Sequence, residues 1–331
     1  MIVTPSAAWK EVFKQVEVSG QKTFNGVPFP LAVTPLSSSA SLAEAVRIHK
    51  PWVESKLHEA GALLFRGFHV PAATAFNDVI ETFGYDDLQF MAGAAPRTHV
   101  VGRIYTSNDG PPHLFINFHN EMSYVSHQPS KAFFYCDVEP EMHGETPIVL
   151  GHIVYERMKR NHLGFLQRLE EHGLIYIKVL ADETDPSSLI GRSWKSIFST
   201  NDKILAEQKA AKMGWKLEWI KNGVRLVMGP MPGIKIDKSR PGEERRIWFN
   251  HLMATYMTYV DARNEKGKAV TLGDGSFIPT EVVEECRGIL EEECVAIPWR
   301  KGDVLMLDNS AVQHARNPFT PPRRVLAAFT K

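Results

Sequence analysis

The stretch Val304-Leu305-Met306-Leu307-Asp308-Asn309 is the clearest indication of the fold, because an unbroken apolar run ends abruptly in two polar residues. Alternation of polar and apolar residues indicates a strand with one solvated face, whereas an unbroken run indicates a strand that is covered on both faces. Val325-Leu326-Ala327-Ala328-Phe329 has the same character. These two segments therefore predict strands in the middle of a buried sheet.

The remaining segments alternate between short strands and helices without a βαβ repeat. Gly61 and Gly84 are positioned to end the first two helices, and Pro51 either kinks the first or opens a second. The pattern predicts a mainly β fold with helical insertions (α+β), on a β-sandwich or jelly-roll core. Hydrophobic periodicity predicts helices at 41–60, 72–83, 153–172, 202–213 and 279–293, and strands at 62–65, 131–138 and 174–179.

The composition is that of an ordinary globular protein. The chain has 331 residues, 44% of them hydrophobic, and 38 basic residues balance 38 acidic ones. Such neutrality argues against a nucleic-acid or membrane-surface partner, which would favour a basic excess. No linker signal divides the sequence, so we expect one domain over 1–331, with 1–40 as a peripheral N-terminal segment.

The cysteines and the termini favour the cytoplasm. Cys136, Cys286 and Cys294 are odd in number and fit no zinc spacing, which indicates reduced thiols in an intracellular compartment. No secretory signal and no apolar run of roughly 20 residues is visible. We expect a cytoplasmic protein, with organelle targeting left open and the oligomeric state unknown.

Three residues form a split pattern typical of a metal site. His119 and Glu121 are two positions apart, so on an extended segment their side chains point to the same face. His314 follows the strand that ends at Asp308-Asn309, which places it at the rim of the core. Two imidazoles and one carboxylate on one face of a divalent metal are the ligands of a non-haem Fe(II) oxygenase. Such short patterns are common by chance, so ordinary surface residues remain the alternative.

Arg324 could supply a cation to a dicarboxylate cosubstrate, because guanidinium offers a planar fork and stays charged when buried. It directly precedes an apolar strand. Arg323 should face the opposite way, so only one of the two arginines reaches the site. Thr146 is either an ordinary turn residue or a hydroxyl donor to the same carboxylate.

In these residues the chain resembles the taurine dioxygenase/clavaminate synthase-like family of Fe(II)- and 2-oxoglutarate-dependent oxygenases, and above all its plant clavaminate synthase-like members. The resemblance runs from about residue 25 to the carboxyl end and rests on several motifs in order. They are Gly61-Ala62-Leu63-Leu64-Phe65-Arg66-Gly67-Phe68, Phe118-His119-Asn120-Glu121-Met122, Gly144-Glu145-Thr146-Pro147, Gly302-Asp303-Val304-Leu305-Met306-Leu307-Asp308-Asn309 and His314-Ala315-Arg316 through Pro321-Pro322-Arg323-Arg324-Val325.

The resemblance implies a double-stranded β-helix (jelly-roll) core and an enzyme that consumes Fe(II)-bound 2-oxoglutarate and O2. It implies that His119, Glu121 and His314 bind iron, and that Thr146 and Arg324 bind the far carboxylate of 2-oxoglutarate. The implied reaction oxidises, most simply hydroxylates, a C–H bond of a small-molecule metabolite and releases succinate and CO2. Desaturation or cyclisation remains possible.

Two departures from the wider family narrow this expectation. Glu121 stands where most members have Asp, which places the chain in the clavaminate synthase-like branch and argues against halogenation. Ala328 stands where the taurine enzymes carry a sulfonate-binding Arg, so a sulfonated substrate is disfavoured.

Substrate contacts are less sharply predicted. Candidate residues for the substrate pocket are Asn117, Arg103, Trp248 and Asn250, each of which could equally be a core or surface residue. Two other functions stay open: a non-catalytic protein that binds 2-oxoglutarate or a metabolite, and a zinc hydrolase that uses the same three ligands.

Overall fold

The computed structural model describes residues 7–88, 97–107, 109–240 and 243–331. Its α-helices are α1 (Leu42–Ala60), α2 (Ala73–Phe83), α3 (Gly151–His172), α4 (Trp194–Phe198), α5 (Lys203–Lys212) and α6 (Thr280–Glu293). Its strands are β1 (Phe13–Val16), β2 (Lys22–Phe24), β3 (Val27–Phe29), β4 (Leu31–Pro35), β5 (Ala62–Phe65), β6 (His99–Val101), β7 (Ile104–Thr106), β8 (Ile116–His119), β9 (Lys131–Val138), β10 (Met142–His143), β11 (Ile148–Leu150), β12 (Leu174–Ala181), β13 (Trp215–Ile220), β14 (Gly223–Met231), β15 (Ile234–Arg240), β16 (Glu243–Trp248), β17 (Val270–Leu272), β18 (Val304–Asp308), β19 (Val312–Arg316), β20 (Phe319–Thr320) and β21 (Arg324–Thr330). Short 3-10 and π-helical turns lie at Ala7–Glu11 and Ala254–Thr258.

The main sheet has eight strands in the order β1-β4-β5-β18-β9-β21-β7-β6. Strand β18 pairs with β5 on one side and β9 on the other, and β21 pairs with β9. Met306 packs into the cluster on one face of the sheet and Leu305 into the cluster on the other. The prediction that both apolar strands are covered on two faces is therefore confirmed.

A second sheet, in the order β11-β19-β8, faces the main one. A shared apolar cluster fills the space between them, with Phe134 and Leu305 from the main sheet and Ile148 and Val312 from the smaller one. Antiparallel strands that enclose a core from two sides are the architecture of a jelly roll. The smaller sheet carries both histidines of the predicted metal site.

Helices α1 and α2 cover the outer face of the main sheet. Ser41 caps α1 by accepting a hydrogen bond from the Glu44 N–H at 3.4 Å. Gly61, at a φ of 79°, ends the helix, and its N–H donates to the Leu57 carbonyl at 2.7 Å. Non-helical geometry at His49 marks a kink just before Pro51. The helix, its kink and its glycine end thus follow the sequence prediction.

The amino-terminal segment forms part of the main sheet, which its composition did not predict. It was expected to lie at the periphery over residues 1–40, but β1 and β4 extend the main sheet. Phe13, Leu31 and Val33 are buried in the cluster beneath α1. Their apolar side chains explain the difference, because burying them stabilises the sheet edge. Residues 1–6 lie outside the described ranges.

A third layer is formed by a four-stranded sheet, in the order β13-β14-β12-β17, with α3 and α6 packed in the same apolar cluster. The predicted helices at 153–172 and 279–293 correspond to α3 and α6, and the predicted strand at 174–179 lies within β12. Across the described ranges, none of the helices has the length and apolar character required to cross a bilayer.

Candidate metal centre

Strand pairing brings the two predicted histidine ligands together. His119 is the last residue of β8, and the antiparallel register places His314 of β19 opposite it. Residues directly opposite in such a ladder project to the same face of the sheet. The imidazole centroids are 4.4 Å apart, and both side chains are buried.

Glu121 completes the group. One ligand atom from each of His119, Glu121 and His314 can be chosen so that all lie within 4.8 Å of one another. The Nε2 atom of His314 is 3.2 Å from Glu121 Oε1, and that of His119 is 3.7 Å from the same oxygen. Three donors on one side of a common point fit a metal ion that keeps its other side open, as in two-histidine, one-carboxylate iron sites.

The surroundings of the histidines also suit a metal. His119 Nδ1 lies 2.8 Å from the Asn117 carbonyl, so a proton there leaves Nε2 directed towards Glu121. This contact with the ring nitrogen that does not face the metal is typical of metal-binding histidines. His314 packs against Phe134, with ring centroids 5.0 Å apart. Burial, with a contribution from His119, lowers the pKa of His314 to about 4, so it is neutral at pH 7, as a metal ligand must be.

Two buried asparagines hold the ligand-bearing segments together. Asn120, between the ligands His119 and Glu121, donates to the carbonyls of Asn309 at 2.7 Å and Val312 at 3.1 Å. The side-chain oxygen of Asn309 accepts from the Glu121 N–H at 2.9 Å. Neither asparagine was predicted as a site residue, although both lie in the motifs that carry the resemblance. They fix the loop after β8 against the turn between β18 and β19.

Arg97 is a further site residue that sequence reasoning missed. Its Nη2 donates to both carboxylate oxygens of Glu121, at 2.9 and 3.1 Å, and its guanidinium lies 4.6 Å from the Phe329 ring centroid. Burial alone would raise the pKa of Glu121, but Arg97, with contributions from His119 and His314, outweighs it and holds that pKa well below its usual range. No motif marks Arg97, because the contact forms only in the folded chain.

The prediction for Arg324 was wrong in its placement. Arg324 is directed outwards, with its side chain 46% exposed and its Nη1 donating to Asp137 at 2.7 Å. Arg323, which directly precedes β21, is the arginine directed towards Thr146. Its Nε donates to the Gly144 carbonyl at 2.7 Å, and its Nη2 lies 3.4 Å from Thr146 Oγ1.

The environment of Arg323 is suited to an anion. Burial, together with nearby Arg316, lowers the pKa of Arg323 to about 10, so the group remains charged at pH 7. Both guanidinium groups lie 5.3 Å from the Phe319 ring centroid. Trp299 Nε1 donates to Thr146 Oγ1 at 3.2 Å. The hydroxyl of Thr146 therefore accepts from its neighbours and can donate its own proton to a ligand.

The less sharply predicted substrate residues have structural partners. Arg103 Nε donates to Asp87 at 3.2 Å and its Nη1 to the Tyr85 carbonyl at 3.0 Å. Trp248 is fully buried in the core. Arg103 is thus held by polar contacts and Trp248 by core packing.

Asn117 and Asn250 likewise support the site from behind. The side chain of Asn117 donates to Thr258 Oγ1 at 3.1 Å, while its carbonyl orients His119. Asn250 is fully buried, and its side chain donates to the Gly233 carbonyl at 3.0 Å. Both make the contacts of positioning residues, not of substrate ligands.

Comparison with known proteins identifies the class of this chain. Residues 30–330 match the family described as taurine catabolism dioxygenase TauD, TfdA family. The chain belongs to this family, and with its His–Glu–His centre it is a non-haem Fe(II), 2-oxoglutarate-dependent dioxygenase, as expected from the sequence.

Its relatives include a clavaminate synthase-like protein of Arabidopsis thaliana, which is 52% identical over 326 residues and covers 96% of this chain and 98% of that protein. The dapdiamide synthesis protein DdaC of Enterobacter agglomerans is 27% identical over 316 residues, covering 92% of each. PvcB of Pseudomonas aeruginosa has a similar fold, with a TM-score of 0.56 at 15% identity, covering 100% of this chain and 94% of that one. These likenesses confirm the family and the jelly-roll fold.

Proposed function

We propose that this enzyme oxidises a C–H bond of a small-molecule metabolite, most simply by hydroxylation, at an iron held by His119, Glu121 and His314. The observation that carries the proposal is the convergence of three buried ligand atoms within 4.8 Å on paired strands. When bound there, Fe(II) and 2-oxoglutarate supply the oxidising power, as O2 converts 2-oxoglutarate into succinate and CO2 and oxidises the substrate.

Arg323 and Thr146 are proposed to bind the far carboxylate of 2-oxoglutarate. A buried guanidinium forms charge-assisted hydrogen bonds that are about twice as strong as neutral ones. The fixed contacts of Arg323 with the Gly144 carbonyl and of Thr146 with Trp299 set the directions of the remaining donors. The two side chains thus present one cation and one hydroxyl to the same ligand oxygen pair.

The remaining residues position and shield the reaction. Asn117 orients the His119 ring, while Asn120 and Asn309 hold Glu121 against the strand of the second histidine. Arg97 balances the carboxylate charge of Glu121. All of these contacts are buried or nearly so, which excludes water from the metal side of the pocket.

Relatives support this proposal without naming the substrate. PvcB is described as an Fe, alpha-ketoglutarate dependent oxygenase from an isonitrile synthetic pathway. The residue four positions after Arg323 is Ala327, and that after Arg324 is Ala328, so neither arginine has the second Arg that the sulfonate-binding members use. No observation favours the zinc hydrolase or the non-catalytic binding protein over an oxygenase.

We also propose that the chain forms one domain, acts on a small molecule and is located in the cytoplasm. Balanced charge supports a small-molecule substrate without a nucleic-acid or membrane partner. The absence of a linker signal supports one catalytic domain, and the free cysteines support a cytoplasmic setting.

Turnover of 2-oxoglutarate tests the function. Succinate release would be measured with Fe(II), O2 and a panel of amino acids, amines and small carboxylic acids. We expect at least one compound to stimulate release, and His119→Ala to abolish it, while His127→Ala, at an exposed histidine, leaves it unchanged. Full turnover in His119→Ala would overturn the metal assignment, and tight 2-oxoglutarate binding without succinate from any compound would favour the non-catalytic alternative.

A further inference from the structure

A small cavity lies beside the metal centre, towards the four-stranded sheet. It has a volume of about 30 Å3, and its walls include Tyr124, Lys178, His251 and Tyr259. The His251 ring packs edge-on against the ligand His119, with centroids 4.8 Å apart. His251 therefore lies between the cavity and the first histidine ligand.

The walls of this cavity are mostly aromatic and aliphatic. Tyr259 Oη lies 3.0 Å from His251 Nε2, and Tyr124 packs edge-on against the same ring at 5.1 Å. Leu226 and Met228 of β14 contribute to the apolar lining. A ligand here would be held mainly through apolar surface.

Lys178 brings a basic side chain into these walls. The buried and half-buried residues of β12 alternate, and this alternation places Lys178 on the same inward face as Tyr176 and Leu180. The lysine side chain is buried, and its Nζ has no hydrogen-bond partner within the part of the chain that the structure describes. An ammonium group thus occupies a position where the strand pattern calls for an apolar side chain.

The nearby charges do not form an ion pair with this lysine. Of the charged neighbours, Arg192 opposes the ammonium and Asp261 favours it, yet neither is a hydrogen-bond partner of Nζ. Burial, with Arg192, lowers the pKa of Lys178 to about 7. A buried polar group without a partner destabilises a fold, so an apolar residue would serve the packing better. A ligand that carries an anionic group would pair with Lys178 and account for a lysine at this position.

We propose that Lys178 binds the carboxylate of the organic substrate, so that the enzyme acts on a carboxylic acid with an apolar body. This inference rests on the proposed function, because the bound substrate must reach the iron centre, which lies on the other side of His251 from the cavity. A cavity of about 30 Å3 exceeds the roughly 10–15 Å3 that one water-sized group needs. It therefore admits the oxygens of a carboxylate, and Tyr124 and Tyr259 offer aromatic surface to the body of the molecule.

Calorimetric binding of paired probes tests this substrate class. The probes are hexanoate, phenylacetate and 3-phenylpropanoate, each beside its primary amide, added anaerobically to enzyme saturated with Fe(II) and 2-oxoglutarate. The Lys178→Met variant removes the charge at similar volume, and Lys178→Gln is a second uncharged variant. Lys216→Met is the matched control, because Lys216 lies in the same sheet with its side chain 73% exposed.

We expect at least one carboxylate to bind the wild type roughly tenfold to a hundredfold more tightly than its amide, as one charge-assisted hydrogen bond provides. Both Lys178 variants should lose that preference, and Lys216→Met should keep it. Equal binding of acids and amides by the wild type, or an unchanged preference in the Lys178 variants, would overturn the proposal.

The same samples separate this inference from the proposed function. The visible absorption band of the Fe(II)–2-oxoglutarate complex should persist in Lys178→Met, because Lys178 is not a metal or cosubstrate ligand. If the band forms in the wild type without any carboxylate preference, only the substrate class fails. If the band never forms, the proposed function fails, and calorimetry still reports whether Lys178 binds carboxylates.

Discussion

Replacing Lys178 with methionine should stabilise the protein, which is unusual for a change at a buried position. In the native state, burial and Arg192 lower the pKa of this lysine from 10.5 to about 7. Since a tenfold change in a protonation equilibrium corresponds to about 1.4 kcal/mol, the penalty on the charged form is at most on the order of 5 kcal/mol. Methionine has a similar volume and no charge, so we expect a net gain of roughly 1–3 kcal/mol.

The gain should depend on pH in a defined direction. Between pH 7 and 10.5 the unfolded chain holds a proton on Lys178 that the folded chain has lost, so wild-type stability rises with pH across this interval. The penalty is complete below about pH 7 and fades towards pH 10.5. The charged neighbours of the lysine are Arg192 and Asp261, and neither is altered by the substitution. The advantage of Lys178→Met should therefore be largest near pH 6.5 and small near pH 10.

Calorimetric melting of the wild type, Lys178→Met and Lys216→Met at pH 6.5 and 9.5 measures this effect. A gain of 1 kcal/mol corresponds to roughly 2–4 °C in Tm for chains of 150–250 residues, and somewhat less for a longer one. We expect a higher Tm for Lys178→Met at pH 6.5, a smaller difference at pH 9.5, and little change for Lys216→Met. A lower Tm for Lys178→Met at pH 6.5 would refute the reasoning, because the lysine would then have a stabilising partner.

Four further substitutions test the cosubstrate site, the metal centre and the end of the first helix. In a calorimetric titration, Arg323→Leu should raise the Kd for 2-oxoglutarate roughly tenfold to a hundredfold, because it removes charge-assisted hydrogen bonds. Arg324→Leu should leave this Kd nearly unchanged. If instead Arg324→Leu raises the Kd and Arg323→Leu does not, Arg324 binds the cosubstrate. Asn309→Ala should weaken Fe(II) binding by about tenfold to a hundredfold, because it frees the loop that bears Glu121, and undiminished affinity would exclude this supporting role. Gly61→Ala should lower Tm, because the residue has a φ of 79° and a Cβ there would lie 3.0 Å from a leucine side chain. An unchanged Tm would show that the end of the helix adjusts to the extra carbon.

Much of the fold could be predicted from sequence because the signals are local. Gly61 and Gly84 end their helices, as both adopt the left-handed conformation that glycine tolerates best. The unbroken apolar runs Val304–Leu307 and Val325–Phe329 identified the central strands. The amino-terminal strands were missed because they join the edge of a sheet whose other strands come from distant parts of the chain.

The metal ligands could be predicted from sequence because the spacing of residues and the family motifs mark them. His119 and Glu121 are two residues apart, and the family motifs supplied His314. Alternation predicted that one arginine of the pair would face inwards. It could not predict which one, because Arg323 precedes β21 and the strand register shifts between Arg324 and Val325. The contact of Arg97 with Glu121 and the cavity around Lys178 join residues that are distant in sequence, so only the folded structure reveals them.

The most direct test of the iron centre is the absorption spectrum of the anaerobic protein after addition of Fe(II) and 2-oxoglutarate. We expect the wild type to develop the visible charge-transfer band of a chelated Fe(II)–2-oxoglutarate complex. His119→Ala, Glu121→Ala and His314→Ala should each lose it. A wild type without the band, or a band that survives in all three variants, would contradict the assignment of these residues as the iron ligands.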